Sequence, residues 1–258
     1  MTTDSIVIQT LEEFFSQFGI KYNKHDRTGL WLTRYFNFRL KYIVLGRRQI
    51  RVSKELSEKI PIHPYRDTIF DIFRLTISGG DLNPYQSKNS FNADFHDLLY
   101  NDWGLHHLHL NSTKDKPTDY FNTRTGPLVF VRFTNDIAYF LDIKSHKDKN
   151  LRSDTDLIRI IQKNWPDTIS DKEVPNIKWN PNLNDEEIGT IRKKGYLFGI
   201  NVDDKAYLLL GHGQATSGDN MMASRMADEV WRWVGQNKHL IETDIESFKT
   251  GLLDQLHI

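Results

Sequence analysis

The chain contains no cysteine. That excludes disulfides and thiolate metal sites, and leaves His, Asp and Glu as the side chains available to a metal. No stretch approaches about 18 consecutive apolar residues, so no membrane span is expected. The opening Met1-Thr-Thr-Asp-Ser5 has no basic run followed by an apolar one, which argues against a secretory leader and makes a cytoplasmic protein the default. Acidic residues are missing from one long segment. From Arg27 to Lys54 there are eight bases and no acid, and from Lys21 to Lys54 ten bases face Asp26 alone. The formal net charge is zero, so the rest of the chain carries about nine excess negative charges. This asymmetry points to an anionic partner that the total conceals.

The 258 residues, 38% hydrophobic and 26% charged, have the composition of a globular protein of one large domain or two to three small ones. Residues 5–18 place Ile8, Leu11, Phe14, Phe15 and Phe18 on one helical face. Tyr35 to Val52, rich in aromatic and β-branched residues and broken at Leu45-Gly46-Arg47, reads as a basic hairpin or pair of strands. In it Arg39, Lys41, Arg47, Arg48 and Arg51 alternate with Phe36, Phe38 and Tyr42. Cations attract phosphate and flat rings stack on bases, so these five cations are nucleic-acid-binding candidates. The plainer reading is a solvated strand face with its aromatics turned inward.

Pro61 and Pro64 mark a boundary, and the polar, proline-bearing residues 167–182 a second. Three modules are expected: a basic α/β module over 1–60, a histidine-containing α+β domain over 61–170 and a hairpin–helix module over 171–258. In the middle one, Tyr65 to Ile77 is a helix, Phe91 to Asn101 another, and Leu128 to Lys144 a β-hairpin turning at Thr134-Asn-Asp136. A helix capped by Ser153 or Asp154 follows and ends at Pro166. Asn184 opens a helix with acids in its first turn, and a second hairpin turns at Asp203-Asp204. The loop Gly211 to Asn220, with Ser217 or Asp219 as N-cap, leads into a helix from Met221; its free N–H groups suit an anion, but it lacks P-loop spacing. The fold class is therefore α+β, antiparallel hairpins with helices packed on one face.

The candidate chemistry centres on Trp103-Gly-Leu-His-His-Leu-His-Leu110. In a strand, successive side chains alternate, so His107 and His109 share one face while His106 belongs with Leu108 and Leu110. Two imidazoles on one face can share acid and base work, hold a phosphate, or bind a metal with His146 or Asp142 as third ligand. A cupin-type metal site would want a carboxylate shortly after His109, where there is none before Asp115. Alternatively, such histidines simply bond backbone or carboxylate groups. The isolated His25, His63, His96, His239 and His257 read as surface.

Residues 103–149, and above all Arg124-Thr-Gly-Pro-Leu through the hairpin to Ser145-His146-Lys147, resemble the C-terminal half of RelE/ParE-type bacterial toxins. The resemblance implies a small sheet that cleaves RNA without metal or cofactor through the 2′-hydroxyl, with RNA rather than DNA as the nucleic acid and an inhibitory protein as partner. Such cleavage needs a base, an acid and cations. The catalytic candidates are His107, His109, Arg124, His146 and Lys147, with Lys144 as a further cation. Two other readings are a non-catalytic nucleic-acid or protein interaction module and a His-ligated metalloenzyme.

Overall fold

Ile6, Val7, Leu11, Phe14 and Phe15 are buried along α1 (Thr3–Gln17), which Thr2 caps by accepting from the Ser5 amide. Where strands are expected, the chain instead continues as a helix. The computed structural model, which describes residues 2–257, has α2 at Thr28–Lys41, and only Gln49–Val52 is a strand, β1. Trp31, Leu32, Tyr35, Phe36 and Phe38 are all buried. A helix covered on most of its circumference shows no amphipathic period, and its aromatic content then reads as β.

Helices α3 (Lys54–Lys59) and α4 (Arg66–Ser78) follow, the latter closed by Gly79 in the left-handed conformation. The helix expected over 91–101 is confined to α5 (Leu98–Trp103), capped by Asp97. Next come β2 (His106–His109), β3 (Pro127–Phe133) and β4 (Ile137–Ser145). After them lie α6 (Asp156–Asn164), α7 (Asp185–Lys193), β5 (Ile200–Val202) and β6 (Lys205–Tyr207). The chain ends in α8 (Met221–Asn237), α9 (Leu240–Thr243) and α10 (Ile245–Leu256). Asn184 caps α7 through a capping box with Glu187, as its sequence suggests. The caps of α6 and α8 are Thr155 and Asn220, each one residue beyond the later of the two expected positions.

The class is α+β. Both hairpins form where alternation places them, β3–β4 and β5–β6, each antiparallel. The main sheet has the order β1-β4-β3-β2, and β1 joins β4 in parallel, so the sheet is mixed. Helices cover it on both faces rather than one. Val129, Val131, Ala138 and Phe140 pack with Leu56, Ile69 and Ile72 from α3 and α4. Leu128, Phe130, Tyr139 and Leu141 pack with Leu157, Ile158 and Ile161 of α6. A third core joins α1 and α2 to α8 and α10, bringing residues 6–38 together with residues 223–256. Packing therefore crosses both boundaries that the prolines suggest. Among the described residues no helix is long and apolar enough to cross a membrane.

Candidate functional site

Strand β2 is an edge strand, and its register sets His107 opposite Phe130 and His109 opposite Leu128. Both imidazoles thus share the face of the sheet that bears Leu128 and Phe130, and a cavity of about 500 Å³ opens there. His107, His109, Arg124 and His146 all line it. His106, on the opposite face, is buried with its Nε2 3.2 Å from the Lys41 carbonyl, as the strand alternation predicts for a core residue.

Backbone ties hold this convergence. The Leu110 amide donates to Thr125 Oγ1 (2.9 Å) and the His146 amide to the Gly126 carbonyl (2.6 Å), so the loop bearing Arg124 is stitched to β2 on one side and to the turn after β4 on the other. Arg124 donates to Ser87 Oγ at 2.9 Å. The rings of His109 and His146 stack with centroids 6.3 Å apart. His109 Nδ1 sits 3.2 Å from the Thr125 carbonyl and 3.3 Å from its amide, which leaves Nε2 as its free nitrogen. Burial pushes the His109 pKa down to about 4 and lowers that of His107, so both rings are neutral at pH 7.

His107 has a carboxylate behind it. Asp97 Oδ1 accepts from the amides of Leu99 and Tyr100, fixing the side chain as the α5 cap, and its Oδ2 lies 3.9 Å from His107 Nδ1. A fourth histidine, expected on the surface, also lines the cavity. His96 Nδ1 is 3.5 Å from Oδ1 of Asp219, which is fully buried and ion-paired with Arg34. Nothing local to His96 announces this, because its partner is supplied by the loop before α8.

Three more cations line the cavity. Arg152, Arg192 and Lys193 come from the 3₁₀ turn Leu151–Ser153 and from α7. Gly189 permits α7 to lie close to that turn: a Cβ there would meet Ser153 Oγ at 3.3 Å. None of these three cations stands out in the sequence, since α7 looks like a solvated helix with basic residues at its end. Two carboxylates face the same space, Asp97 and Asp148, and Asp148 Oδ2 is turned inward to accept from the Ser145 amide.

Other candidates fall elsewhere. Lys147 is exposed and does not line the cavity, and Lys144 is ion-paired with Asp154. Lys41 is buried. Its ammonium donates to the carbonyls of Asn92 (3.1 Å) and Phe95 (2.5 Å), and burial pushes its pKa down to about 8, so it is a structural group and not a phosphate contact. Arg48 donates to the Thr134 carbonyl (2.9 Å) beside β1, which with Arg51 lies at the sheet edge opposite β2. Arg47 is exposed near them, in the loop before β1, while Arg39 borders a separate aromatic depression with Phe18, Tyr42, Phe91 and Tyr120. Arg39 and Lys41 are therefore parted from Arg47, Arg48 and Arg51, which stay together at and beside β1, and none of the five lines the cleft. The α2 helix is the reason, because it turns aside two side chains that a hairpin would align with the other three.

For a metal, Asp142 is committed to Lys59 Nζ (2.6 Å) and is not at the cavity. Among the described residues no three His, Asp or Glu side chains come together in a metal-binding group. The arrangement can take up a proton, return one, and neutralise an anion between neutral imidazoles and arginines. No protein-family model, curated protein or solved structure matches the chain.

Proposed function

We propose that the cleft cleaves single-stranded RNA without a metal, through attack of the ribose 2′-hydroxyl on the adjacent phosphate. The observation that carries this reading is the meeting of His107, His109, His146 and Arg124, from three chain segments, on one cavity. His107, neutral and backed by Asp97, takes the 2′-hydroxyl proton. His146, exposed at the mouth, gives a proton to the departing 5′-oxygen; His107 then releases its proton to water and His146 takes one up, which restores both rings. Arg124 faces the negative charge that develops on the phosphorane, joined by Nε2–H of His109 in the tautomer whose Nδ1 accepts from the Thr125 amide. The leaving strand carries a 5′-hydroxyl, and the other product ends in a 2′,3′-cyclic phosphate. The weak resemblance of residues 103–149 to RelE/ParE-type toxins agrees with this chemistry and adds an inhibitory protein as an expected partner.

The test is incubation of the protein with RNA and with the all-2′-deoxy strand of the same sequence, both in EDTA. Cleavage of the RNA alone, with cyclic-phosphate ends, is the expected result. His107→Ala and His146→Ala should each slow it by about 10²–10⁴-fold, the usual worth of a general base or acid. Intact RNA, cleavage of the deoxy strand, or unchanged rates in both variants would overturn the proposal.

A further inference from the structure

We infer that the cleft holds a second phosphate subsite, built by Arg152, Arg192 and Lys193, which binds the phosphate next to the scissile one on the same strand. The inference rests on the phosphodiester reading above and extends it to cations that the cleavage step does not use. The cations in the cleft come from two parts of the chain. Arg124 is stitched to His109 and His146 through the loop at Thr125 and Gly126. The other three cations belong to the 151–153 turn and α7. The cleft's cations thus fall into two poles, Arg124 on one segment and Arg152, Arg192 and Lys193 on the other, with the histidine pair on the same cavity.

Arg192 anchors the second pole. Its side chain is 3% exposed, its Nε donates to the buried carboxylate of Asp102 and its Nη1 to the Arg152 carbonyl at 2.6 Å. Its Nη2 is buried with no acceptor at all. A buried charged donor left open is costly, and such a group on a side chain that lines a cavity is a place where an acceptor oxygen belongs. Asp102 neutralises Arg192, so the net positive charge of the pole comes from Arg152 and Lys193. Both are exposed at the cavity, and among the described residues neither forms an ion pair. A bidentate-capable guanidinium beside a flexible ammonium suits a phosphate.

The experiment measures binding, so it does not depend on turnover. A 2′-deoxy dinucleotide, which lacks the attacking hydroxyl, is titrated by calorimetry in three forms: without a terminal phosphate, with a 3′-phosphate and with a 5′-phosphate. The intact protein should bind one phosphorylated form about tenfold tighter than the plain one, and which end is preferred gives the polarity of the strand. In Arg152→Ala/Lys193→Ala, whose exposed positions spare the core, that ratio should fall to about one. Equal affinity for all three forms, no binding of any, or a ratio preserved in the double variant would each overturn the subsite. RNA that stays intact while the ratio is found would remove the cleavage chemistry and leave the two-phosphate cleft standing. RNA cleavage without the ratio would do the reverse.

Discussion

Asp97 does two things with one carboxylate, and they can be separated. As N-cap it accepts from the Leu99 and Tyr100 amides, and as a charge it stands 3.9 Å from His107. Burial lowers the His107 pKa and the Asp97 charge raises it, with burial the larger effect. In the cleavage mechanism proposed above, a base whose pKa lies below the ordinary 6.5 gives kcat/KM an acid limb below that pH. Asn caps helices about as well as Asp, so Asp97→Asn keeps α5 in place and deletes only the charge. The sign follows: without the anion, protonation of His107 is harder, and the acid limb should move to still lower pH. The measurement is the pH profile of kcat/KM on RNA. A lower rate with an unmoved limb would mean that Asp97 only caps the helix.

At the scale of elements, the end of α5 shows how much the site owes to loop packing. The Gly211 amide donates to the Asp102 carbonyl (2.9 Å) and the Gly213 amide to the Asn101 carbonyl (2.7 Å), so the loop before α8 satisfies carbonyls that the short helix leaves open. A Cβ on Gly211 would lie 2.1 Å from the Tyr100 carbonyl oxygen and 2.5 Å from that of Asn101, both main-chain atoms with no freedom to yield. Gly211→Ala should therefore cost about 3 kcal/mol or more in urea unfolding, or prevent folding. Gly235→Ala, in the last turn of α8 with nothing within 4 Å, should instead stabilise by about 0.4–1 kcal/mol. Equal effects at the two glycines would deny the close approach. Such contacts are also where legibility ended. The β3–β4 hairpin was readable because alternation, turn residues and length agree over 17 positions, and α7 because Asn184 and Glu187 spell its cap. The strand phase of His107 and His109, and hence their shared face, followed from the same alternation. By contrast α2 looked like strands because it is buried on several sides. His96 looked isolated because Asp219 reaches it only through the fold, and Arg192 carries no signal in the sequence because nothing local predicts Asp102 beside it.

For the whole molecule, the question is whether the helical core and the sheet behave as one unit. A buried polar belt runs between them. Arg34 of α2 pairs with Asp219, Lys41 of α2 holds the carbonyls of Asn92 and Phe95, and Asn220 Nδ2 donates to the Gly211 carbonyl (2.8 Å) and to Asn101 Oδ1 (3.3 Å). Tyr35 Oη donates to the Leu256 carbonyl at 2.6 Å, tying α2 to the last turn of α10. Opening the helical core alone would take Arg34 away and leave the Asp219 carboxylate buried without it, at a cost of about 3–5 kcal/mol for that broken pair. The two ends of the chain and the central sheet should therefore open together. Leu252, fully buried in α10, is far in sequence from the sheet, and Leu252→Ala should cost about 2–5 kcal/mol. In native-state hydrogen exchange, the slowest amides of α2 and α8 and those of β3 and β4 should lose protection by the same amount. If the sheet amides keep their protection while the helices lose theirs, the chain is built of independent modules, and the cleft would survive loss of the helical core that supplies Arg34 to Asp219.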